Sequence, residues 1–151
     1  MKLLFATDGS AHSTAALEEI ANTLYPSESS VHILSIIDNI VFTPGNAPMG
    51  EMNEYYAGAM RMALSKAKDN IENAEKVLQM KNPALAVTTA IINGSPKSII
   101  LDEAEKLEAD LIIVGSHGYG AVKRFLLGSV SLAVASHAKC SVEIVRVKNK
   151  K

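Results

Sequence analysis

Apolar residues along this chain follow two alternating patterns. Short segments dominated by aliphatic side chains occupy residues 2–6, 31–37, 85–92, 111–114 and 142–147. Runs of this length, bounded by turn residues, predict buried β-strands. Between them the apolar positions recur every three or four residues, the spacing of an amphipathic helix. Leu17, Ile20, Ala21 and Leu24 predict a helix over residues 13–24, ended by Pro26. Met60, Leu64, Ala67, Ile71, Ala74 and Leu78 predict the longest helix. Its other face is polar, with Lys66, Lys68, Asp69, Glu72, Glu75 and Lys76, and Asn82-Pro83 ends it. Ser95-Pro96 reads as a capping hydroxyl followed by proline at the first helical position. Ile99, Ile100, Ala104 and Leu107 form the buried face of that helix, and residues 130–135 predict a fourth. Residues 38–52, with Pro44-Gly45 and Pro48, read as a loop.

Five strands alternating with four helices predict an α/β protein. Because the strands are near-continuous apolar runs, both sheet faces must be covered, which points to parallel strands between two helical layers. Residues 1–151 show no repeat, low-complexity tract or linker, so a single domain is expected. In such sheets ligands sit beyond the carboxyl ends of the strands, where the strand order switches. That rule places Asp8 and Gly115 on one edge although they are 107 positions apart.

Composition narrows the class of function. With 48% hydrophobic and 21% charged residues and a net charge of -1, no global field attracts nucleic acid or an anionic membrane. Lys148, Lys150 and Lys151 make only a short basic tail. No apolar run approaches a membrane span, and the apolar start of the chain turns polar at Thr7-Asp8, too early for a signal peptide. Cys140 is the single cysteine, so no intrachain disulfide forms. A cytoplasmic protein is expected.

The candidate chemistry lies in Gly115-x2-Gly118-x9-Gly128-Ser129, with Gly120 also in the loop. Strand, glycine loop and helix start together present backbone N–H groups to an anion. Gly115 permits a sharp turn, Gly118 a close approach, and Gly128-Ser129 offers amides and a hydroxyl beside a helix dipole. Structural turns and a phosphate cradle are both open readings of such glycines. Lys123 and Arg124 in the same loop read as a solvated face. There is no G-x-x-x-x-G-K-[ST] sequence, which excludes a P-loop NTPase. Gly118-x-Gly120-x-x-Lys123 has lysine where the dinucleotide fingerprint needs a third glycine. A phosphorylatable receiver would need an acidic pair after strand one and an aspartate after strand three. Thr7-Asp8 and Ile92-Asn93 stand there instead.

Other residues carry weaker signals. His117 sits inside the glycine loop, facing either phosphate or solvent. His12, His32 and His137 have no partner at ligand spacing, so no metal site is expected. Cys140 has no base near it in sequence and reads as an idle thiol. Met49, Met52, Met60 and Met62 read as packing residues.

Three features together resemble the universal stress protein family. They are the Gly115–Ser129 pattern, Thr7-Asp8-Gly9-Ser10 after strand one, and His137-Ala-Lys-Cys140 before the last strand. The likeness runs from Lys2 to Val147. It implies a Rossmann-like, adenine nucleotide α hydrolase-like fold, a three-layer α/β/α sandwich with strand order 3-2-1-4-5. It also implies ATP as ligand, with or without Mg2+, and a homodimer paired through residues 142–147. Carried across residue by residue, Ala6, Thr7 and Asp8 would lie on the adenine and ribose side. Ile36 or Ile37 would flank adenine, and Val114 and Gly115 would line the ribose. Gly118, Gly128, Ser129 and Val130 would hold the phosphates. Ser141 stands after Cys140 where the family often has proline, which would alter a turn. A stress-response regulator with at most slow hydrolysis is the expected function. A nucleotide-free dimerisation module is the alternative, and an ATP-using enzyme is disfavoured because no catalytic pair stands out.

Overall fold

The computed structural model describes residues 1–39, 48–119 and 126–147. Gly120, Lys123, Arg124, Pro44-Gly45 and the lysines of the basic tail therefore lie outside the described residues. The elements run β1 Lys2–Thr7, α1 Ala11–Asn22, β2 Ser30–Ile37, α2 Met49–Lys81, β3 Ala86–Asn93, α3 Pro96–Leu107, β4 Leu111–Gly115, α4 Ser129–His137 and β5 Ser141–Val145. All five strands are parallel, in the order β3-β2-β1-β4-β5. The register pairs Ala6 with Leu34 on one side and with Val114 on the other. β1 and β4 are thus neighbours in space, and the order of the chain reverses between them.

Alternation along the strands explains the apolar runs. Leu3, Phe5, Val31, Ile33 and Ile113 point to one face, where Leu17 and Ile20 of α1 and Ile71, Ala74 and Leu78 of α2 cover them. Leu4, Leu34, Ile112 and Val114 point to the other, against Ile100 and Ala104 of α3 and Val134 of α4. β1, β2 and β4 bury both of their faces and are accordingly mostly apolar, whereas the edge strands β3 and β5 are only partly covered and carry Thr88, Thr89 and Glu143.

Local chemistry moves both ends of α1 from their expected places. α1 begins at Ala11, because the Ser10 side chain caps it by accepting the Ser13 N–H at 3.2 Å. It ends at Asn22, where Asn22 and Thr23 donate back to the carbonyls of Glu18 and Glu19. Asn82 binds the Thr23 carbonyl at 3.0 Å, so Leu24 falls outside the helix and is 97% exposed. Ser95 is the N-cap of α3, as its position predicts, but its hydroxyl makes no capping bond; Pro96 alone sets the entry.

The largest difference is in α2. Residues 49–52, expected in a loop, already belong to the helix, which has 33 residues and begins after Pro48. At 1.5 Å per residue it is about 50 Å long, whereas an eight-residue strand spans about 26 Å. The helix must overhang the sheet. Its apolar stripe is accordingly buried only from Ala67 through Leu78, while Leu64 is 40% exposed and Met49 and Met62 stand in solvent. The methionines at the start of α2 are largely surface residues and not core.

Candidate functional site

The carboxyl ends of β1, β2 and β4, with the starts of α3 and α4, enclose a cleft of about 440 Å³. This is within the ordinary range for a small-molecule site. Its position at the β1/β4 reversal is where an open parallel sheet leaves a crevice, because crossovers on the two sides lead away from each other.

One wall is apolar, formed by Ala6, Leu34, Ile36, Ile100 and Val114. Of the two isoleucines considered from sequence, Ile36 lines the cleft. Ile37 is buried and does not line it, since successive side chains of a strand face opposite ways.

The turn after β1 is held tightly. The Thr7 hydroxyl accepts the Gly9 N–H at 3.2 Å and Asp8 Oδ1 accepts the Ser10 N–H at 2.9 Å. Gly9 has φ +76°, and a Cβ there would collide with the Asn70 side chain of α2. The positive φ is what favours glycine at this position, since the Asn70 side chain could turn aside.

Across the cleft, Gly118 lies against Asp8. A Cβ on Gly118 would sit 2.7 Å from Asp8 Oδ2. Gly128 has a different part from the one its spacing suggests. Its N–H donates to the Ser116 carbonyl at 2.7 Å and is not free for a ligand. A Cβ there would lie 3.2 Å from that same oxygen, so Gly128 allows α4 to start close against the end of β4. Ser131 Oγ reinforces the junction, within donating distance of the Ser116 and Gly128 carbonyls at 2.9 and 3.0 Å.

The amides of Ser129, Val130 and Ser131 are those of a first turn, which an α-helix cannot satisfy within itself. All three residues line the cleft, and the helix dipole adds partial positive charge there. An anion placed at this point would meet N–H groups already oriented toward it. Ala6, Thr7, Asp8, Ile36, Val114, Gly115, His117, Gly118, Gly128, Ser129 and Val130 are thus brought to one cavity; of the candidates, only Ile37 is not.

Several residues escaped the sequence reading. Asp38, just past the end of β2, lines the cleft, as do Ser13, Pro96 and Tyr119. The strand-end rule that selected Asp8 applies equally to Asp38. His12 had no partner at ligand spacing, yet the fold brings its ring within 5.1 Å of His117, with Ser116 Oγ bonded to both Nδ1 atoms at 3.0 and 3.2 Å. No sequence signal links residues 104 positions apart.

Among the described residues no group of three or more His, Cys, Asp or Glu side chains is placed to hold a metal ion. No helix among them is long and apolar enough to cross a membrane. The Cys140 thiol is pushed up by partial burial, which opposes thiolate formation.

The fold is a doubly wound parallel α/β sheet with an apolar cleft and oriented helix amides at its switch point. The sequence model of the universal stress protein family matches residues 1–146, and this chain belongs to that family. A putative universal stress protein of Staphylococcus aureus strain USA300 is 30% identical over 148 residues, covering 95% of this chain and 82% of the relative. Among solved structures, hypothetical protein MJ0577 superposes with a TM-score of 0.84 at 29% identity, covering 99% of this chain and 97% of that one. A universal stress protein in complex with cAMP gives a TM-score of 0.60 at 25% identity, covering 97% and 96%.

Proposed function

We propose that this protein binds an adenine nucleotide, ATP above all, in the cleft between β1 and β4, and acts as a cytoplasmic stress-response regulator. The observation that carries this reading is the junction at α4. Gly128 brings the helix start onto the strand end, and the first-turn amides of Ser129 and Val130 open into the same cavity as an apolar wall. A flat, apolar base and an anionic phosphate need those two surfaces in one site. Gly118 against Asp8 leaves the loop thin enough for backbone approach. The cAMP complex of a family member 25% identical supports an adenine ring in a site of this kind.

The nucleotide acts here as a bound signal, hydrolysed slowly at most. Fast phosphoryl transfer needs an oriented water, charge stabilisation at the γ-phosphate and usually a metal. When bound with ATP, Mg2+ would neutralise phosphate charge beside Asp8 and Asp38. Homodimerisation is proposed through β5, the edge of the sheet, where Val142, Ile144 and Val145 are only half-buried. An edge strand with apolar side chains is suited to pairing with a second copy.

The test is to denature purified protein, identify any released nucleotide, and titrate ATP against wild type and the Gly118→Ala, Ser129→Ala double variant. Adenine nucleotide bound near one per chain, and weakened at least tenfold in the variant, is the expected result. Absence of binding at millimolar ATP would reject the reading in favour of a nucleotide-free interaction module.

A further inference from the structure

The cleft is short of positive charge. Among the described residues that line it there is no lysine or arginine, while Asp8 and Asp38 are both among them. One phosphate can be held by the first-turn amides of α4. Each additional phosphate brings charge into a site whose described walls contribute two carboxylates, and it needs a cation.

Lys66 of α2 does not itself line the cleft but is the cation that rests on one of its lining residues. Its Nζ stands 3.8 Å from the centroid of the Tyr119 ring, and no carboxylate pairs with it among the described residues. Tyr119 lines the cleft directly after Gly118. Its hydroxyl donates to the Gly9 carbonyl at 2.7 Å, so the ring is fixed across the space between the β1–α1 turn and the β4–α4 loop. Asn70, one helical turn beyond Lys66, packs its side chain against Gly9. The same face of α2 therefore lies across both loops, and Lys66 is held at their junction.

We propose that Lys66, parked on the Tyr119 ring, is the residue that reads the length of the ligand's phosphate chain, favouring di- and triphosphate over monophosphate. This rests on the reading of the cleft as an adenine nucleotide site. The physical reason is a difference in strength. A cation over an exposed aromatic face is weakly held, whereas an ammonium on a phosphate oxygen makes a charge-assisted hydrogen bond. The four-carbon stem of lysine lets Nζ leave the ring for a phosphate at little cost, and the ring keeps it close until then.

The experiment is calorimetric titration of the full-length protein with adenosine, AMP and ATP, with and without Mg2+. The variants are Lys66→Met, Lys66→Arg and Tyr119→Leu. Lys76→Met, at an exposed lysine of the same helix, controls for net charge. In Lys66→Met the ratio of ATP to AMP affinity is expected to fall about tenfold, the size of one hydrogen bond to a charged group. Tyr119→Leu is expected to move the ratio the same way, Lys66→Arg to restore most of it, and Lys76→Met to leave it alone. An unchanged ratio in Lys66→Met, while wild type binds both nucleotides, overturns the inference and leaves the nucleotide site standing. A wild type that binds neither AMP nor ATP overturns the nucleotide site and this inference with it.

Discussion

Adding one methyl group at Gly115 tests the packing on which the cleft depends. Gly115 ends β4, and a Cβ built there falls 2.6 Å from the His12 carbonyl carbon and 2.7 Å from the Ser13 nitrogen. These are backbone atoms of α1 and cannot rotate away. Ordinary contact starts at about 3.4 Å, so α1 would have to recede from β4 by roughly 0.8 Å, loosening Leu17 and Ile20 against Ile113. Gly115 has no positive φ, so the cost is steric and not conformational. Overpacking of this kind costs about 1–3 kcal/mol, and a backbone collision belongs at the upper end. Gly115→Ala is therefore expected to lose about 3 kcal/mol, a shift of about 1.5 M in urea midpoint for a slope near 2 kcal/mol/M. Gly58→Ala is the matched control. That residue is inside α2, where a Cβ meets only the tip of Arg61 at 3.9 Å, so the same change should gain about 0.5–1 kcal/mol from helix propensity. Both are read by urea unfolding at one protein concentration without added nucleotide, because dimerisation and ligand each shift the midpoint. A loss below about 1 kcal/mol at Gly115, with unchanged slope, would refute the claim that α1 and β4 are in unyielding contact.

Three further outcomes follow from the packing. Burial raises the Glu143 carboxyl above its usual value, and the neighbouring Glu19 charge adds to the effect, so the folded state disfavours the ionised form. Glu143→Gln should then be more stable than wild type at neutral pH, with the advantage vanishing as pH falls below about 4.5; thermal melts across that range would expose an error if the gap stayed constant. Leu78→Ala removes a fully buried side chain that anchors α2 and should cost about 2–5 kcal/mol, whereas Met62→Ala on the overhanging half should change stability by less than about 0.5 kcal/mol; denaturant midpoints that failed to separate the two would contradict the overhang. Sedimentation velocity at micromolar concentration should find a dimer that Ile144→Asp dissociates, and a wild-type monomer would exclude pairing through β5.

Periodicity was enough to predict all nine elements and the covering of both sheet faces, because residues that bury two faces cannot hide their composition. The carboxyl-edge rule likewise placed Asp8 with Gly115 from sequence, and the glycine spacing located the loop. Hydrophobic pattern could not say how far α2 extends, since a helix that overhangs its sheet keeps the local sequence of a helix and loses only the burial. Nor could it tell Ile36 from Ile37, which differ solely in the face the pleat assigns them. The carboxyl-edge rule reaches Asp38 as well, just past the end of β2. Gly128 reads from its spacing as a ligand contact, yet its amide is taken by Ser116, an allocation set only once β4 and α4 meet. The His12–Ser116–His117 cluster and the Lys66–Tyr119 contact join residues 104 and 53 positions apart. Local sequence carries the energetics of neighbours along the chain; which distant side chains become neighbours is decided by the register of the sheet and the line of α2 across its edge.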